Sequence, residues 1–353
     1  MLGLPRIDLV VLSRVALRVG VTVLVFFGLM ILAESLNTRR FETMQAAGGL
    51  PLAVAAMVVP AARWCIGTLP ITVLIGTIAA MLDLQMRHEL TIMKVAGLSI
   101  WRIMRWPVIA VTLVAALISV FGESWTILVD RTFPESSRRS GGPLWMEQTT
   151  GSEAYILVAQ RTRANAPQLR GVTIFDTSPP DRERIVAESA SYAGGKWVLA
   201  NGTIHNPVTG TVPFTRHEIA TRMTAGDLEL QLSLARDLTL AELLASAASD
   251  VSDPGLKAVS MTSLYRTFSL PFMVAGSVLL AFALAGTYRR RGDYGNAVLL
   301  GLIVGFVLFV ISELSTRAGN AQVISPLAAT AGPALLSLLA GSTALLFRED
   351  GKL

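Results

Sequence analysis

Two His-Glu pairs are the residues of this sequence with the clearest potential for metal chemistry. His88-Glu89 and His217-Glu218 each begin the H-E-x-x-H pattern, in which two histidines one helical turn apart bind zinc and the glutamate acts as a base. Neither pair is followed by a histidine three residues later, and His205 is the one other histidine, so a Ser/His/Asp arrangement cannot be assembled either. The sequence therefore predicts no catalytic residue and no metal site.

Nucleotide chemistry is also missing from the sequence. No G-x-x-x-x-G-K-[ST] loop is present, and the nearest fragment, Gly195-Lys196, continues into Trp197. We therefore expect no cofactor and no enzyme activity. If the function requires ATP, its hydrolysis would have to take place on a partner chain.

The composition is typical of a membrane protein. Hydrophobic residues make up 52% of the 353 residues and charged residues 16%, with a mean hydropathy of +0.55. A soluble domain carries about 25% charged residues, so we predict an integral membrane protein. The single cysteine, Cys65, excludes an intrachain disulfide and lies in an apolar run, where it is most simply a packing residue.

Charge is distributed unevenly along the chain. Residues 130–255 contain 12 Lys/Arg and 15 Asp/Glu, a net charge of −3, against +5 for the whole chain, which leaves +8 elsewhere. The positive excess lies in short loops, chiefly within residues 87–105 and 289–291. A nucleic-acid-binding face would interleave these charges with aromatic or polar readers, so we predict no nucleic-acid partner. The basic loops mark the cytoplasmic side of the membrane instead.

Six apolar segments reach, with their flanks, the length of about 20 residues that a bilayer requires. They are predicted at residues 19–33, 52–82, 107–129, 264–285, 297–314 and 327–347. The fold class is therefore membrane α-helical, with an N-terminal transmembrane half (1–129) and a C-terminal transmembrane half (257–353). Both termini are predicted to be cytoplasmic. Arg63, in the second span, is either a snorkelling interfacial residue or a substrate contact.

Residues 130–256 change character and predict an all-β domain on the other side of the membrane. Short β-rich runs cover residues 154–158, 171–175, 185–188, 196–199 and 227–232, with turn formers such as Gly194-Gly195 and Asn201-Gly202 between them. Regular short strands favour a sandwich or jelly roll. Trp197 is interpreted as a core anchor, with a ligand platform as the alternative, and a helix is predicted at residues 240–248.

A coupling helix is predicted at about residues 83–100, between the second and third spans. Leu90, Met93, Gly97 and Ile100 follow helical spacing and would share one face. A short amphipathic helix in this place lies at the bilayer surface, where a protein outside the membrane can grip it.

The same segment carries a resemblance to a known family. Residues 87–99, Arg-His-Glu-Leu-Thr-Ile-Met-Lys-Val-Ala-Gly-Leu-Ser, are similar to the coupling-helix signature of the LptF/LptG permeases, which export lipopolysaccharide in Gram-negative bacteria. The layout of three spans, a soluble insert and three spans also resembles that family. Gly122-Glu123-Ser124-Trp125 and Ile324-Ser325-Pro326-Leu327 resemble the LptG branch.

The resemblance implies a set of partners and a place in the cell. The chain would lie in the bacterial inner membrane with a periplasmic jelly roll, pair with an LptF-like subunit, and work with an LptB-like ATPase dimer and a single-span LptC-like protein. Glu89 matches the glutamate that pairs with an arginine of the ATPase, although a solvated carboxylate is the alternative. Leu90, Ile92 and Met93 fit a groove contact, but they could equally rest on lipid.

The substrate side is predicted from basic residues at the outer end of the spans. Lipopolysaccharide carries acidic phosphates above its acyl chains, and the family contacts lipid A with basic residues at the outer end of the first span. The candidates here are Arg39, Arg40, Arg138, Arg139 and Arg317. Interfacial arginines are also common membrane anchors. Glu34 occupies the place where some members carry a lysine.

Two other classes of protein are compatible with the sequence. One is a membrane scaffold without transport activity, in which the β-domain binds an envelope partner. The other is a mechanotransmitting ABC subunit of the lipoprotein-release or FtsX type, a class that usually has four spans and a larger external domain.

Overall fold

The computed structural model describes residues 6–133, 144–150, 153–160, 168–176, 183–206, 210–221, 238–248, 253–285 and 294–349. The chain divides into a helical unit, Met1–Phe133 with Met261–Leu353, and an inserted unit, Pro134–Ser260. The predicted helix at residues 240–248 is present with those bounds, in the inserted unit.

Ten α-helices are found in the part of the chain that the structure describes. They are α1 (Arg6–Ser35), α2 (Thr38–Gly67), α3 (Leu69–Met86), α4 (Glu89–Val95), α5 (Ile100–Leu117), α6 (Glu123–Asp130), α7 (Leu240–Ala248), α8 (Pro254–Ala285), α9 (Tyr294–Asn320) and α10 (Pro326–Glu349). One π-helical turn, Ile118–Gly122, joins α5 to α6. Within the described residues, seven helical stretches are long and apolar enough to cross a membrane, one more than predicted.

The additional helix arises because the predicted second span is divided. The sequence predicted one span over residues 52–82, but the helix is interrupted at Thr68, where α2 ends and α3 begins. A second interruption lies within α2, where Gly49 has a φ of 74° that favours glycine. Pro51 follows two residues later, and its fixed φ suits the first turn of the helical segment that resumes there.

Ion pairs show that α2 and α3 together make one passage through the helical unit. Asp8, near the start of α1, lies 3.2 Å from Arg105, near the start of α5. At the opposite end, Arg40, near the start of α2, lies 3.7 Å from Asp130, the last residue of α6. Because Arg18 of α1 contacts Asp83, near the end of α3, the pair α2–α3 runs back from the second end to the first.

The C-terminal helices also run alternately from one end of the helical unit to the other. Gln85, near the end of α3, hydrogen-bonds to the carbonyl of Ala285, the last residue of α8. Gly301, near the start of α9, lies beside Ile78 of α3, and Gly319, near the end of α9, lies beside the start of α10. Within the described residues, the helices therefore cross the helical unit six times. We call the end that carries α4 the coupling end.

Small residues allow these helices to approach closely. A Cβ atom added to Gly76 of α3 would lie 2.7 Å from the backbone of Val19 in α1, so only glycine fits that crossing. In a bilayer, where lipid competes with apolar side chains for contact, such close approach is a main source of helix association. The buried core of the unit includes Leu74, Met81 and Phe282.

The inserted unit contains a six-stranded antiparallel sheet. Its strands are β1 (Leu144–Thr150), β2 (Glu153–Gln160), β3 (Gln168–Asp176), β4 (Arg184–Ala193), β5 (Lys196–Asn206) and β6 (Gly210–Ala220). They pair in sequence order, which is a meander and not the Greek-key order of a jelly roll. The predicted strand at residues 227–232 lies outside the described residues. The fold class, a membrane α-helical protein with an inserted β domain, is confirmed.

The two turn predictions in this unit had different outcomes. Gly194-Gly195 forms the β4–β5 turn, and both glycines have positive φ. Asn201-Gly202 was predicted as a turn but lies inside β5, which pairs with β4 and β6 along its length. The ring of Phe214 and the backbone of β4 leave no space for a Cβ at Gly202, so close packing explains this glycine.

Trp197 lies in the buried apolar core of the inserted unit. Its side chain is fully buried, and its ring packs edge-to-face on Tyr192 with centroids 5.8 Å apart. This burial agrees with the interpretation of Trp197 as a core anchor.

We expect Trp197→Ala to destabilise the full-length protein by about 3–5 kcal/mol, because truncating a buried tryptophan loses apolar contacts and leaves a cavity. The measurement is the denaturation midpoint of the purified chain, followed by the circular dichroism of its β-structure. Trp145→Ala is the matched control, since that side chain is 65% exposed on β1. Equal midpoints for the two variants would contradict a core role for Trp197.

Candidate functional site

The predicted coupling segment contains α4, a helix of seven residues whose start is set by the backbone. His88 has a φ of 58°, a left-handed conformation that separates α4 from the helix ending at Met86. Glu89 is the first residue of α4, where the helix dipole favours a negative charge. This helix is therefore shorter than the stretch of residues 83–100 that is predicted as a coupling helix.

The end of α4 is fixed by a glycine cap. Gly97 has a φ of 79°, its N–H bonds to the carbonyl of Lys94, and the N–H of Leu98 bonds to the carbonyl of Met93. These two hydrogen bonds form a Schellman motif, which stops a helix and turns the chain away. Ser99 then caps α5 with its side chain. The Gly-Leu-Ser sequence is thus a stop signal followed by a start signal.

The inward face of α4 carries Leu90 and Met93, which are 3% and 8% exposed. Both belong to the apolar core of the helical unit. They are predicted as contacts for an ATPase, and their burial means that they also attach α4 to its own chain. The predicted common face does not extend to Gly97 and Ile100, because α4 ends at Val95 and Ile100 begins α5.

The outward face of α4 is apolar at two positions. Ile92 is 66% and Val95 is 84% exposed, and Met86, at the end of α3, is exposed as well. Exposed apolar side chains that lie close together often mark a contact surface. Among the three aliphatic residues predicted for the groove contact, Ile92 is the one that the chain leaves accessible.

A cluster of ion pairs joins α4 to α1 and α3. The buried carboxylate of Asp83 accepts hydrogen bonds from Arg18 at 3.0 Å and from Arg87 at 3.4 Å. Arg14 lies 3.6 Å from Asp83 through one terminal nitrogen and 3.6 Å from Glu89 through the other. One guanidinium therefore spans two carboxylates, and Glu89 is paired within its own chain.

Sequence reasoning used Arg14 only as a marker of membrane orientation and assigned no role to Asp83. A signal was present, because an acidic residue near the end of an apolar span requires a partner, and Arg14 and Arg18 are one helical turn apart on α1. Arg18 and Asp83 are 65 positions apart in the sequence, so no local pattern indicated that they pair.

Two of the basic residues predicted to contact substrate are paired with carboxylates of the same chain. Arg40 lies 3.7 Å from Asp130 and is largely buried, so it links α2 to α6. Arg317 donates to Glu313 at 3.0 Å, one turn earlier on α9, and is mostly exposed. The Arg39 side chain and the whole of Arg138 and Arg139 lie outside the described parts of the structure.

A second charged cluster lies within the helical unit. The carboxylate of Glu123 interacts with Arg266 and Arg63 and hydrogen-bonds with Thr267. Arg63 is therefore placed beside an acidic side chain, which the two sequence interpretations had not considered. Arg266 also lines a pocket between α3, α8 and α9, together with Glu313.

The His-Glu pairs form no metal centre. Among the described residues, no group of three or more His, Cys, Asp or Glu side chains is arranged to hold a metal. Glu218 lies on β6 and accepts hydrogen bonds from Arg216 and Lys196, which hold its pKa below the usual value. A carboxylate held in its charged form by two cations is poorly suited to act as a general base near neutral pH.

These features define a polytopic membrane protein with a short capped helix at one end of its bundle and an inserted β-sheet unit. The sequence matches the family described as lipopolysaccharide export system permease LptF/LptG over residues 10–348, nearly its whole length. The chain belongs to this family. A comparison with curated proteins gave no match.

This match confirms the family that was predicted from the sequence. The chain is an integral inner-membrane protein and a permease subunit for lipopolysaccharide export, a transport function that operates together with other subunits. The family description covers LptF and LptG alike.

We expect Asp83→Asn to lower the stability of the helical unit by roughly 1–3 kcal/mol, because three arginines lose their shared counterion and these arginines are themselves partly exposed. The measurement is the apparent melting temperature in detergent. The control, Glu313→Gln, removes a carboxylate from an exposed pair one helical turn apart and should shift it much less. Equal shifts of the melting temperature for the two variants would contradict a larger contribution of Asp83 to stability.

Proposed function

We propose that this chain is the LptG-like permease of the export complex and that an LptB-like ATPase dimer docks on α4. The observation that supports docking on α4 is a short helix, closed by a glycine cap, that presents Ile92 and Val95 outward beside Glu89, and the LptG-like assignment is supported by residues 122–125 and 324–327. The chain has no nucleotide-binding loop of its own, so the energy for extraction would come through this helix.

The docking contact combines apolar and charged parts. Ile92 and Val95 would enter a groove of the ATPase as the exposed face of a short helix. Glu89 would pair with an arginine of the ATPase, as the family resemblance implies. Leu90 and Met93 contribute indirectly, because their burial keeps α4 in a fixed orientation while the ATPase moves. A fixed helix transmits displacement, whereas a loosely held one would absorb it.

The coupling end is proposed to face the cytoplasm. Arg14, Arg18, Arg87, Arg102 and Arg105 all lie at this end of the helical unit. Such a concentration of basic residues favours the cytoplasmic side. The chain leaves α6 at the opposite end, so the inserted β unit belongs to the periplasmic side, where lipopolysaccharide would be passed to an LptC-like partner.

The substrate contact is proposed for basic residues of the opposite end. Arg39, Arg138, Arg139 and Arg317 remain the candidates for the acidic phosphates of lipopolysaccharide. Arg40 is a weaker candidate, because its pairing with Asp130 already occupies part of the guanidinium. An LptF-like subunit would complete the cavity that holds the acyl chains.

The orientation gives a labelling prediction. In a Cys65→Ser background, a cysteine at Val95 should react only with reagents that are admitted to the cytoplasm, and a cysteine at Lys196 should react from the periplasm. Both positions are exposed, so access is decided by the side of the membrane. Labelling of the Lys196 position from the cytoplasm alone would reverse the proposed orientation.

The docking contact gives a binding prediction. We expect Glu89→Ala to weaken association with the ATPase by about 2–5 kcal/mol, because one member of an interfacial ion pair is removed. Ile92→Ala should cost about 1 kcal/mol or more if its side chain enters the groove. The measurement is binding of the ATPase to the permease pair in lipid nanodiscs.

The matched control for Ile92→Ala is Val323→Ala, a similarly exposed apolar residue after α9, at the opposite end. It should bind the ATPase as the unaltered protein does. If Glu89→Ala and Ile92→Ala both left binding and lipopolysaccharide-stimulated ATP hydrolysis unchanged, α4 would not be the docking element. The scaffold interpretation would then be favoured.

A further inference from the structure

We propose that Arg14 is a positioning residue that holds Glu89 while no ATPase is bound and releases it when the ATPase docks. The inference rests on the proposed docking of an ATPase on α4. Since Arg14 belongs to α1 and Glu89 to α4, α1 would respond directly to the docking of the ATPase.

Arg14 lies between two carboxylates and is too far from each to form a close hydrogen bond. Its two terminal nitrogens lie 3.6 Å from Glu89 Oε1 and 3.6 Å from Asp83 Oδ2. Both distances exceed those of well-formed charge-assisted hydrogen bonds, which are about 2.7–2.9 Å. Arg14 therefore attracts both carboxylates and binds neither tightly, which is the condition for an exchangeable partner.

Glu89 is itself only partly satisfied. Its second oxygen, Oε2, is buried and has no hydrogen-bond donor among the described residues. A carboxylate can accept two parallel hydrogen bonds from one guanidinium, so an arginine that reached both oxygens would bind it more strongly than Arg14 does. In the observed orientation Oε2 is closed to any external donor. Glu89 must therefore turn outward to engage an ATPase arginine, and this turn breaks its contact with Arg14.

Asp83 keeps the released Arg14 in place. Arg18 donates to Asp83 Oδ1 at 3.0 Å and Arg87 at 3.4 Å, whereas Oδ2 has Arg14 alone nearby and no hydrogen bond among the described residues. Once freed from Glu89, Arg14 can close on Oδ2. The tie between α1 and α3 is then strengthened, and the ion pair between α1 and α4 is lost. Docking would thus exchange one connection of α1 for another.

The test is a double-mutant cycle on binding of the LptB-like ATPase to the full permease pair in nanodiscs. If Arg14 competes for Glu89, Arg14→Gln should tighten association by roughly two- to fivefold, the range of a partly exposed ion pair. In a Glu89→Gln background, Arg14→Gln should have no effect on affinity. A purely structural role of Arg14 would weaken association in both backgrounds.

Arg18→Gln is the matched control. It removes the same charge from the same helix one turn away, and its ion pair among the described residues is with Asp83 and not with Glu89. It should not tighten association. Arg14→Lys tests whether the effect of Arg14→Gln comes from misfolding. A lysine keeps the positive charge, but its single ammonium cannot span both carboxylates. We expect this variant to fold normally and to bind with an affinity between those of the unaltered protein and Arg14→Gln.

The outcomes separate this inference from the docking proposal. If Glu89→Gln weakens association and Arg14→Gln leaves it unchanged or weaker, α4 is the docking element and the competition by Arg14 is wrong. If Glu89→Gln and Ile92→Ala are both without effect, the docking proposal itself fails. If Arg14→Gln tightens association equally with and without Glu89, its effect does not pass through that carboxylate, and the inference is wrong.

Discussion

The carboxylate of Asp83 is the point on which the coupling end of the molecule depends. It is 5% exposed, and arginines from α1 and from the turn before α4 converge on it. A buried charge is stable only when counterions and hydrogen bonds compensate for its loss of water. Because Asp83 lies near the end of an apolar helix, this requirement determines where α1 and the α4 turn must lie. The position of α4 follows from it.

A similar constraint acts along the rest of the helical unit. Arg40 with Asp130 links α2 to α6 at the opposite end, and Glu123 draws Arg63 and Arg266 together between the ends. Each contact joins helices that are distant in sequence. Apolar contacts give little preference among helices in lipid, so polar contacts and close approaches such as that at Gly76 can select which helices pack together.

Sequence reasoning succeeded where the signal was local. The helix at residues 240–248 and the Gly194-Gly195 turn depend on neighbouring residues and were found with the correct bounds. Asn201-Gly202 has the same local signal for a turn, but pairing with β4 on one side and β6 on the other makes it part of β5. The break at Thr68 was missed although Pro70, in the first turn of α3, is a local signal for a helix start.

The orientation of α4 at the candidate site could not be predicted from a local sequence pattern. Helical spacing correctly placed Leu90 and Met93 on one face, but spacing cannot determine whether that face turns toward the protein or toward a partner. The direction is set by Asp83 and its arginines, which lie partly on α1 and were not connected to α4 by any pattern. Once the direction is fixed, Ile92 and Val95 must face outward. Glu89 is then left between Arg14 inside and any partner outside, so its surroundings support an exchange of ion pairs better than a permanent one.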